Sequence, residues 1–417
     1  MKTILYTYKF RLYPNKEQII RLSKSFGCVR FVYNYFLNKE KEEYRNSKRH
    51  LGYYSNAKKL TKLKKELIWL KECNSQSLQY SLKNLERAYT NFYEHRGELP
   101  VFKSKKSHYD SFTVPEFTTI DDRYIFFPKF KEGIRCRFHR LVEGNIRFFT
   151  ISKTPGNKYY VSITVEKECE PSVKTNKSTG IDLGIDNLLT MSDGTVIPNN
   201  KYLLKYSKQL SKAQKHLSRK KYGSASYNRQ RLKVSRIQEK ISNCRHDYLH
   251  KITSDLIHKY DIICIEDLDN KEMKSKELRN GEYRKQRSTL NRNLSDTSFG
   301  TFRSYLSYKA DWNDKSVIKV NRFYPSSKMC HICGYKKTDL TLQDRMWICP
   351  ICNTVHNRDY NASINILNEG LRIKSLSSGT GDYTDGAAYK SSMMVSEPIF
   401  RYLDEAVMKS EATKSLV

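Results

Sequence analysis

The sequence predicts a multidomain α/β chain that also carries an antiparallel β-barrel and a small inserted metal-binding knuckle. Three observations predict it. Short apolar strands alternate with helical patterns from about Gly180 onward, the signature of an α/β domain. The stretch from Phe112 to Glu166 is rich in alternating aromatic and β-branched residues, the pattern of short antiparallel strands. Two Cys-x-x-Cys pairs lie inside the α/β part. The chain has 417 residues, of which 38% are hydrophobic and 29% charged, which suits several globular domains and excludes a disordered chain.

In chain order, Tyr6 to Tyr13 alternates like a strand and ends at Pro14. Asn15 then stands as an N-cap with Gln18 at the capping-box position. Ile19, Leu22, Phe26, Val29, Tyr33, Phe36 and Leu37 follow at helical spacing. Further helical patterns cover Ala57 to Lys71 and Ser77 to His95. The second puts Leu78, Leu82, Leu85, Tyr89 and Phe92 on one face. Beyond Pro100, Tyr124 to Phe127, Ile134 to Phe138 and Ile146 to Ile151 read as strands. A turn at Pro155-Gly156-Asn157 leads into another at Tyr159 to Ile163. These strands, completed by Tyr6 to Phe10, form the expected barrel. Glu168 to Ser178 reads as a linker.

From Gly180, Ile181-Asp182-Leu183-Gly184-Ile185 is a buried-strand pattern, and Leu188 to Met191 continues to a turn at Asp193-Gly194. Two long basic helical patterns follow, Leu203 to Lys221 and Tyr227 to Tyr260. An apolar strand, Ile262 to Ile265, ends in Glu266-Asp267. A helix is expected over Ser298 to Trp312, a strand over Val317 to Val320, and a last helical turn over Ile364 to Leu367. From about Ser375 periodicity fades, so residues 373–417 read as a mostly disordered tail.

No apolar run approaches the roughly 20 residues that span a bilayer, and the N-terminus lacks a signal-peptide core. The expected setting is the cytosol, where cysteines stay reduced. Cys28, Cys73, Cys136, Cys169, Cys244 and Cys264 are scattered and read as core or surface thiols. Cys330, Cys333, Cys349 and Cys352 are clustered. Two residues between thiolates let each pair bite one ion, and four sulfurs close a tetrahedron, so one structural zinc ion is expected. His331 and His356 lie close enough to replace a sulfur.

Asp182 sits within a buried-strand pattern, Glu266 ends another, and Asp359 stands just before a helical turn. A carboxylate on an apolar strand is costly unless it is paired or holds a cation. Acids at the ends of different elements can converge on Mg²⁺, a hard ion that takes oxygen ligands. A pair of such ions about 3.5–4 Å apart clamps a phosphodiester and activates water. Neighbouring Asp186, Asp267 and Asp269 read as supporting or solvated residues. Formal net charge is +32. A positive field of that size opposes folding and points to a polyanionic partner, nucleic acid above all. Lys205, Lys208, Lys212, Lys215, Arg219, Lys220, Arg229, Arg231 and Lys233 concentrate on the basic helices; singly each is a solvated residue, together they suit a nucleic-acid channel.

Several strings together resemble the TnpB (OrfB) family encoded by bacterial insertion sequences. They are Lys9-Phe10-Arg11-Leu12-Tyr13-Pro14, the run Phe26 to Asn34, Phe102-Lys103-Ser104-Lys105, Gly180-Ile181-Asp182-Leu183-Gly184, Ile265-Glu266-Asp267-Leu268, and the cysteine knuckle running into Arg358-Asp359-Tyr360-Asn361-Ala362. The resemblance implies an RNA-guided DNA endonuclease related to compact type V CRISPR effectors, with guide RNA and target DNA as partners, in the bacterial cytoplasm at the nucleoid. It implies a wedge-like barrel (1–10 and 101–172), a helical recognition segment (11–100), a RuvC (RNase H-like) nuclease domain (178–325 and 354–372) and the zinc knuckle (326–353). Asp182, Glu266 and Asp359 match the family's acids for Mg²⁺, two ions in number, and Cys330, Cys333, Cys349 and Cys352 match its zinc ligands. Asn353 and Asn357 depart from the usual glycine and aspartate; Asn357 removes a charge beside the metal site. Two readings stay beside this one: a type V CRISPR effector of the same chemistry, and a guided DNA-binding regulator without cleavage.

Overall fold

A computed structural model of the chain describes residues 2–268, 286–341 and 343–378. Asp269 and the expected tail beyond Ser378 lie outside the described residues. The described chain forms two compact units: residues 6–165, and residues 2–5 with those from Glu166 onward.

In the first unit, β1 (Lys2–Tyr13) leads into α1 (Lys16–Ser47). The expected capping box starts that helix. Asn15 Oδ1 accepts from Gln18 N at 2.8 Å, and Gln18 Oε1 accepts from Asn15 N at 3.1 Å. Such a cap is worth about 1 kcal/mol. Helices α2 (Gly52–Glu66) and α3 (Ser75–Tyr93) follow; a 3₁₀ turn, Ile68–Glu72, ends the stretch expected as one helix. The strands are β2 (Asp110–Val114), β3 (Thr119–Asp121), β4 (Tyr124–Phe127), β5 (Phe130–Arg137), β6 (Asn145–Lys153) and β7 (Tyr159–Cys169). They join β1 in one sheet of order β2-β6-β7-β1-β5-β4-β3. Leu22, Phe36, Leu78 and Leu82 from the helices share one buried core with Phe10, Ile134, Phe149 and Val161 from the strands. The expected barrel is corrected to an open sheet. Closure requires every strand to have two hydrogen-bonded neighbours, and here β2 and the three-residue β3 are free edges.

The second unit begins with β8 (Ser178–Leu183), β9 (Asn187–Met191) and β10 (Val196–Pro198), paired antiparallel in sequence. Helices α4 (Tyr202–Lys205), α5 (Ser207–Ser218) and α6 (Ala225–Lys259) lead to β11 (Ile262–Glu266). The expected helix over Leu203 to Lys221 is thus broken at Tyr206. Then come α7 (Gln286–Thr297), absent from the sequence expectation, α8 (Phe299–Trp312) and β12 (Ser316–Val320). β11 lies parallel to both β8 and β12, giving the order β10-β9-β8-β11-β12. Its start is pinned by Asp261, which accepts from the backbone of Thr175 and Asn176 and pairs with the buried Lys315 ammonium. A hairpin of β13 (Met346–Ile348) and β14 (Val355–Asn357) runs directly into α9 (Arg358–Ser378). Asp359 therefore lies in the first turn of a helix of 21 residues. That helix also carries residues 373–378, which were expected to belong to the disordered tail.

Helix α9 lies unusually close to the sheet, and two glycines make this possible. A Cβ on Gly180 would stand 2.1 Å from the Ser363 carbonyl oxygen and 2.5 Å from Leu367 N; a Cβ on Gly370 would stand 2.2 Å from Cys264 Sγ.

Candidate active site and thiolate cluster

The parallel register of β8 and β11 pairs Ile181 with Ile265, so Asp182 and Glu266 are the next residues on adjacent strands. Adjacent strands lie about 4.8 Å apart, and the carboxyl ends of such strands are where open α/β sheets bind ligands. The close approach of α9 at Gly180 brings Asp359 to the same place. Asp182, Glu266 and Asp359 line one open cleft of about 500 Å³, together with Asp186, Ser326, Arg345 and Arg358. The three acids named from sequence are thus brought together.

Their electrostatics show carboxylates crowded together, with Arg345 and Arg358 beside them. Burial, then the charges of Glu266 and Asp359, push Asp182 up to about 8, against the opposing pull of the Arg358 guanidinium. Burial also raises Glu266, although the Ser326 hydroxyl donates to its Oε1 at 2.5 Å and works the other way. Carboxylates crowded this way hold a proton near neutral pH or share a cation. All donor atoms are carboxylate oxygens, the chemistry of a hard divalent ion.

Sequence reasoning missed the residues that frame these acids. Arg345 reaches Asp359 Oδ2 at 3.4 Å and Asp186 Oδ2 at 3.3 Å. Asp186, in the same cleft, also pairs with Lys201 at 3.0 Å, and Asp267 pairs with Arg303 at 3.0 Å. Asn365, buried on α9, donates to the Ser326 and Met329 carbonyls at 2.7 and 2.6 Å. It thereby fixes the backbone of Ser326, whose hydroxyl holds Glu266. Asn361 donates to Met329 O at 2.7 Å and accepts from His331 N at 3.1 Å. The signal was present as buried asparagines on one face of a helix, but their partners lie in a loop that periodicity does not predict.

The four clustered cysteines converge: their sulfurs all lie within 4.8 Å of one another. Cys330 and Cys352 sulfurs are 3.6 Å apart, Cys333 and Cys349 sulfurs 3.5 Å. Both distances are far longer than a disulfide and close to the roughly 3.8 Å edge of a tetrahedron with Zn–S near 2.3 Å. The Thr354 hydroxyl lies 3.2 Å from Cys352 Sγ and, with the Thr354 backbone, lowers the pKa of that thiol, while its cysteine neighbours raise that of Cys333. His356 does not replace a sulfur; its Nε2 stands 3.1 Å from Cys330 Sγ as a hydrogen-bonding neighbour. His331 Nδ1 lies 2.9 Å from Asn361 Oδ1. The cluster fits one structural zinc ion. No helix among the described residues is long and apolar enough to cross a membrane.

Family models match three stretches: "Helix-turn-helix domain" at residues 1–49, "Probable transposase" at 160–277, and "Cas12f1-like, TNB domain" at 299–366. The first of these folds here as β1 followed by the single helix α1. A Streptomyces pristinaespiralis protein named "Putative RNA-guided DNA endonuclease" is 34% identical over 404 residues, 95% of this chain and 97% of its own. An Escherichia coli K12 protein, "Putative RNA-guided DNA endonuclease InsQ", is 34% identical over 378 residues, 88% of this chain and 93% of its own. The fold is that of the protein in "Cryo-EM structure of the Cas12f1-sgRNA-target DNA complex", with a TM-score of 0.53 at 13% identity, covering 88% of this chain and 99% of that one. With relatives this similar over nearly their whole length, and three family models in matching order, the chain belongs to the TnpB (OrfB) family of insertion-sequence proteins.

Proposed function

We propose that this chain is an RNA-guided DNA endonuclease of the insertion-sequence type, cleaving DNA by RuvC-type chemistry at Asp182, Glu266 and Asp359. The observation that supports it most is the meeting of these three acids in one cleft, in a chain whose full-length relatives carry that name. Asp182, Glu266 and Asp359 would hold two Mg²⁺ ions, which supply Lewis-acid activation of water and neutralise phosphodiester charge. Ser326 orients Glu266, and Arg345 holds Asp359 by its outer oxygen. Arg345 and Arg358 put positive charge at the cleft wall, where an incoming phosphate needs it. Cys330, Cys333, Cys349 and Cys352 would hold a zinc ion that ties the knuckle to β14 and so steadies the start of α9, where Asp359 lies. Sequence choice comes from pairing between guide RNA and target strand, next to a short DNA motif read by the protein.

The test is substitution in the full-length protein with its RNA bound. Asp182→Ala, Glu266→Ala and Asp359→Ala should each reduce Mg²⁺-dependent cleavage by about 10³-fold or more, as loss of a metal-held centre implies, while guided DNA binding persists. Wild-type cleavage by any one variant would remove that residue from the centre.

A further inference from the structure

The outer face of the open sheet in residues 6–165 carries a second feature that the nuclease centre does not use. Register places Tyr13 of β1 opposite Arg135 of β5, and Arg135 opposite Tyr124 of β4. Paired residues of adjacent strands project on the same face, so the three form a Tyr–Arg–Tyr row across three strands. The next row pairs Arg11 with Arg137. The alternate residues Leu12, Ile125, Ile134 and Cys136 point to the core and are buried. Tyr13 and Tyr124 are 48% and 43% exposed, far more than an aromatic on a half-buried sheet needs to be. Tyr13, Arg135 and Arg137 line one open cleft with Arg123, Arg140 and a lone acid, Asp122. One cation of this face is already set against rings: Arg11 lies 5.7 Å from the Tyr13 ring centre and 5.0 Å from that of Tyr160.

We infer that this row is a docking surface for an unpaired segment of the guide RNA, with bases stacked on Tyr13 and Tyr124 and the backbone held by the arginines between and beside them. The inference rests on the RNA-guided reading above. Exposed aromatic faces interleaved with arginine are the means by which proteins hold single strands without reading sequence. Duplex offers no free base face to such a row. Two strand spacings separate the tyrosines, about 10 Å, a span that a splayed dinucleotide bridges. The excess of arginine over the single carboxylate in the lining gives the charge complementarity that a phosphodiester requires.

The experiment uses full-length protein and three probes: a 12-nucleotide oligouridylate, oligodeoxythymidylate of equal length, and a 12-base-pair DNA duplex. Tyr13→Ala with Tyr124→Ala should weaken oligouridylate binding by roughly 10- to 100-fold, from loss of stacking. Tyr13→Phe with Tyr124→Phe should restore it, and duplex affinity should change by less than about twofold. Arg135→Gln should reduce the slope of log affinity against log salt by roughly 0.7 for the RNA. An equal loss for duplex would show a general electrostatic patch and overturn the inference. A loss confined to oligodeoxythymidylate would assign the surface to displaced DNA instead and also overturn it. Unchanged RNA affinity in the Ala variants, with wild-type melting curves and cleavage that still requires RNA, would overturn this surface alone. Wild-type cleavage without any RNA would instead overturn the function on which it rests.

Discussion

A methyl group at Gly180 has nowhere to go: the Ser363 carbonyl oxygen and Leu367 N are backbone atoms, 2.1 and 2.5 Å away. Gly180→Ala should therefore push α9 off β8 and carry Asp359 with it. Expected are a loss of about 1–3 kcal/mol of stability, typical of overpacking, and a drop in cleavage larger than the drop in RNA binding. Thermal denaturation and single-turnover cleavage measure the two. Singly, each acid reads equally well as a turn or salt-bridge residue; it was the resemblance, with Asp182, Glu266 and Asp359 in family order, that marked them as a trio. The need for Gly180 was not legible, since it is set by a helix far along the chain. The same holds for Ser326 and Asn365, ordinary polar residues until the fold brings them to Glu266. His50 offers a different test at this scale. Hydrogen bonding to Glu40 raises its pKa, outweighing the burial that would lower it, and Glu40 in turn lies below its usual value despite its own burial. Because His50 binds its proton more tightly when folded, its contribution is complete below about pH 6.5 and fades as pH rises through the raised folded value. The wild-type protein should thus lose more stability between about pH 6 and 8 than His50→Gln does in parallel urea titrations. Equal pH profiles would show that the Glu40 contact contributes nothing.

At the scale of elements, the knuckle and α9 act together. The hairpin β13–β14 ends where α9 begins, and Asn361 ties that helix to the loop entering the first cysteine pair. Cysteine spacing made the knuckle legible in full, because ligand geometry dictates spacing. Strand patterns likewise marked β8 and β11. The open sheet was not legible: whether a set of strands closes depends on pairings such as β1 with β5, between residues remote in sequence. Nor was α7, whose residues are mostly polar, with too few apolar side chains to mark a buried face. Purified protein should carry about one zinc ion per chain. Cys349→Ser should lose the ion, raise hydrogen exchange at the start of α9, and reduce cleavage although Cys349 never meets the DNA. Elemental analysis that finds no zinc in the wild-type protein would contradict this.

For the whole molecule, composition pointed to a polyanionic partner, and the family resemblance named guide RNA and target DNA. Net charge of +32 is spread over the helices, the first sheet and the nuclease unit rather than held in one short reading element. The stretch matched by the helix-turn-helix model is a strand and one long helix here, so residues 1–49 themselves hold no helix pair of the kind that enters a groove. Broad charge of this kind suits an extended nucleic acid held by shape and backbone. The most direct measurement incubates protein, Mg²⁺ and duplex DNA with and without cognate RNA, then repeats it with the guide sequence exchanged. Cleavage should require the RNA and move to the site that the new guide specifies. Specific cleavage without RNA, or cleavage that remains at the original site after the exchange, would contradict the RNA-guided reading and leave only a metal-dependent nuclease.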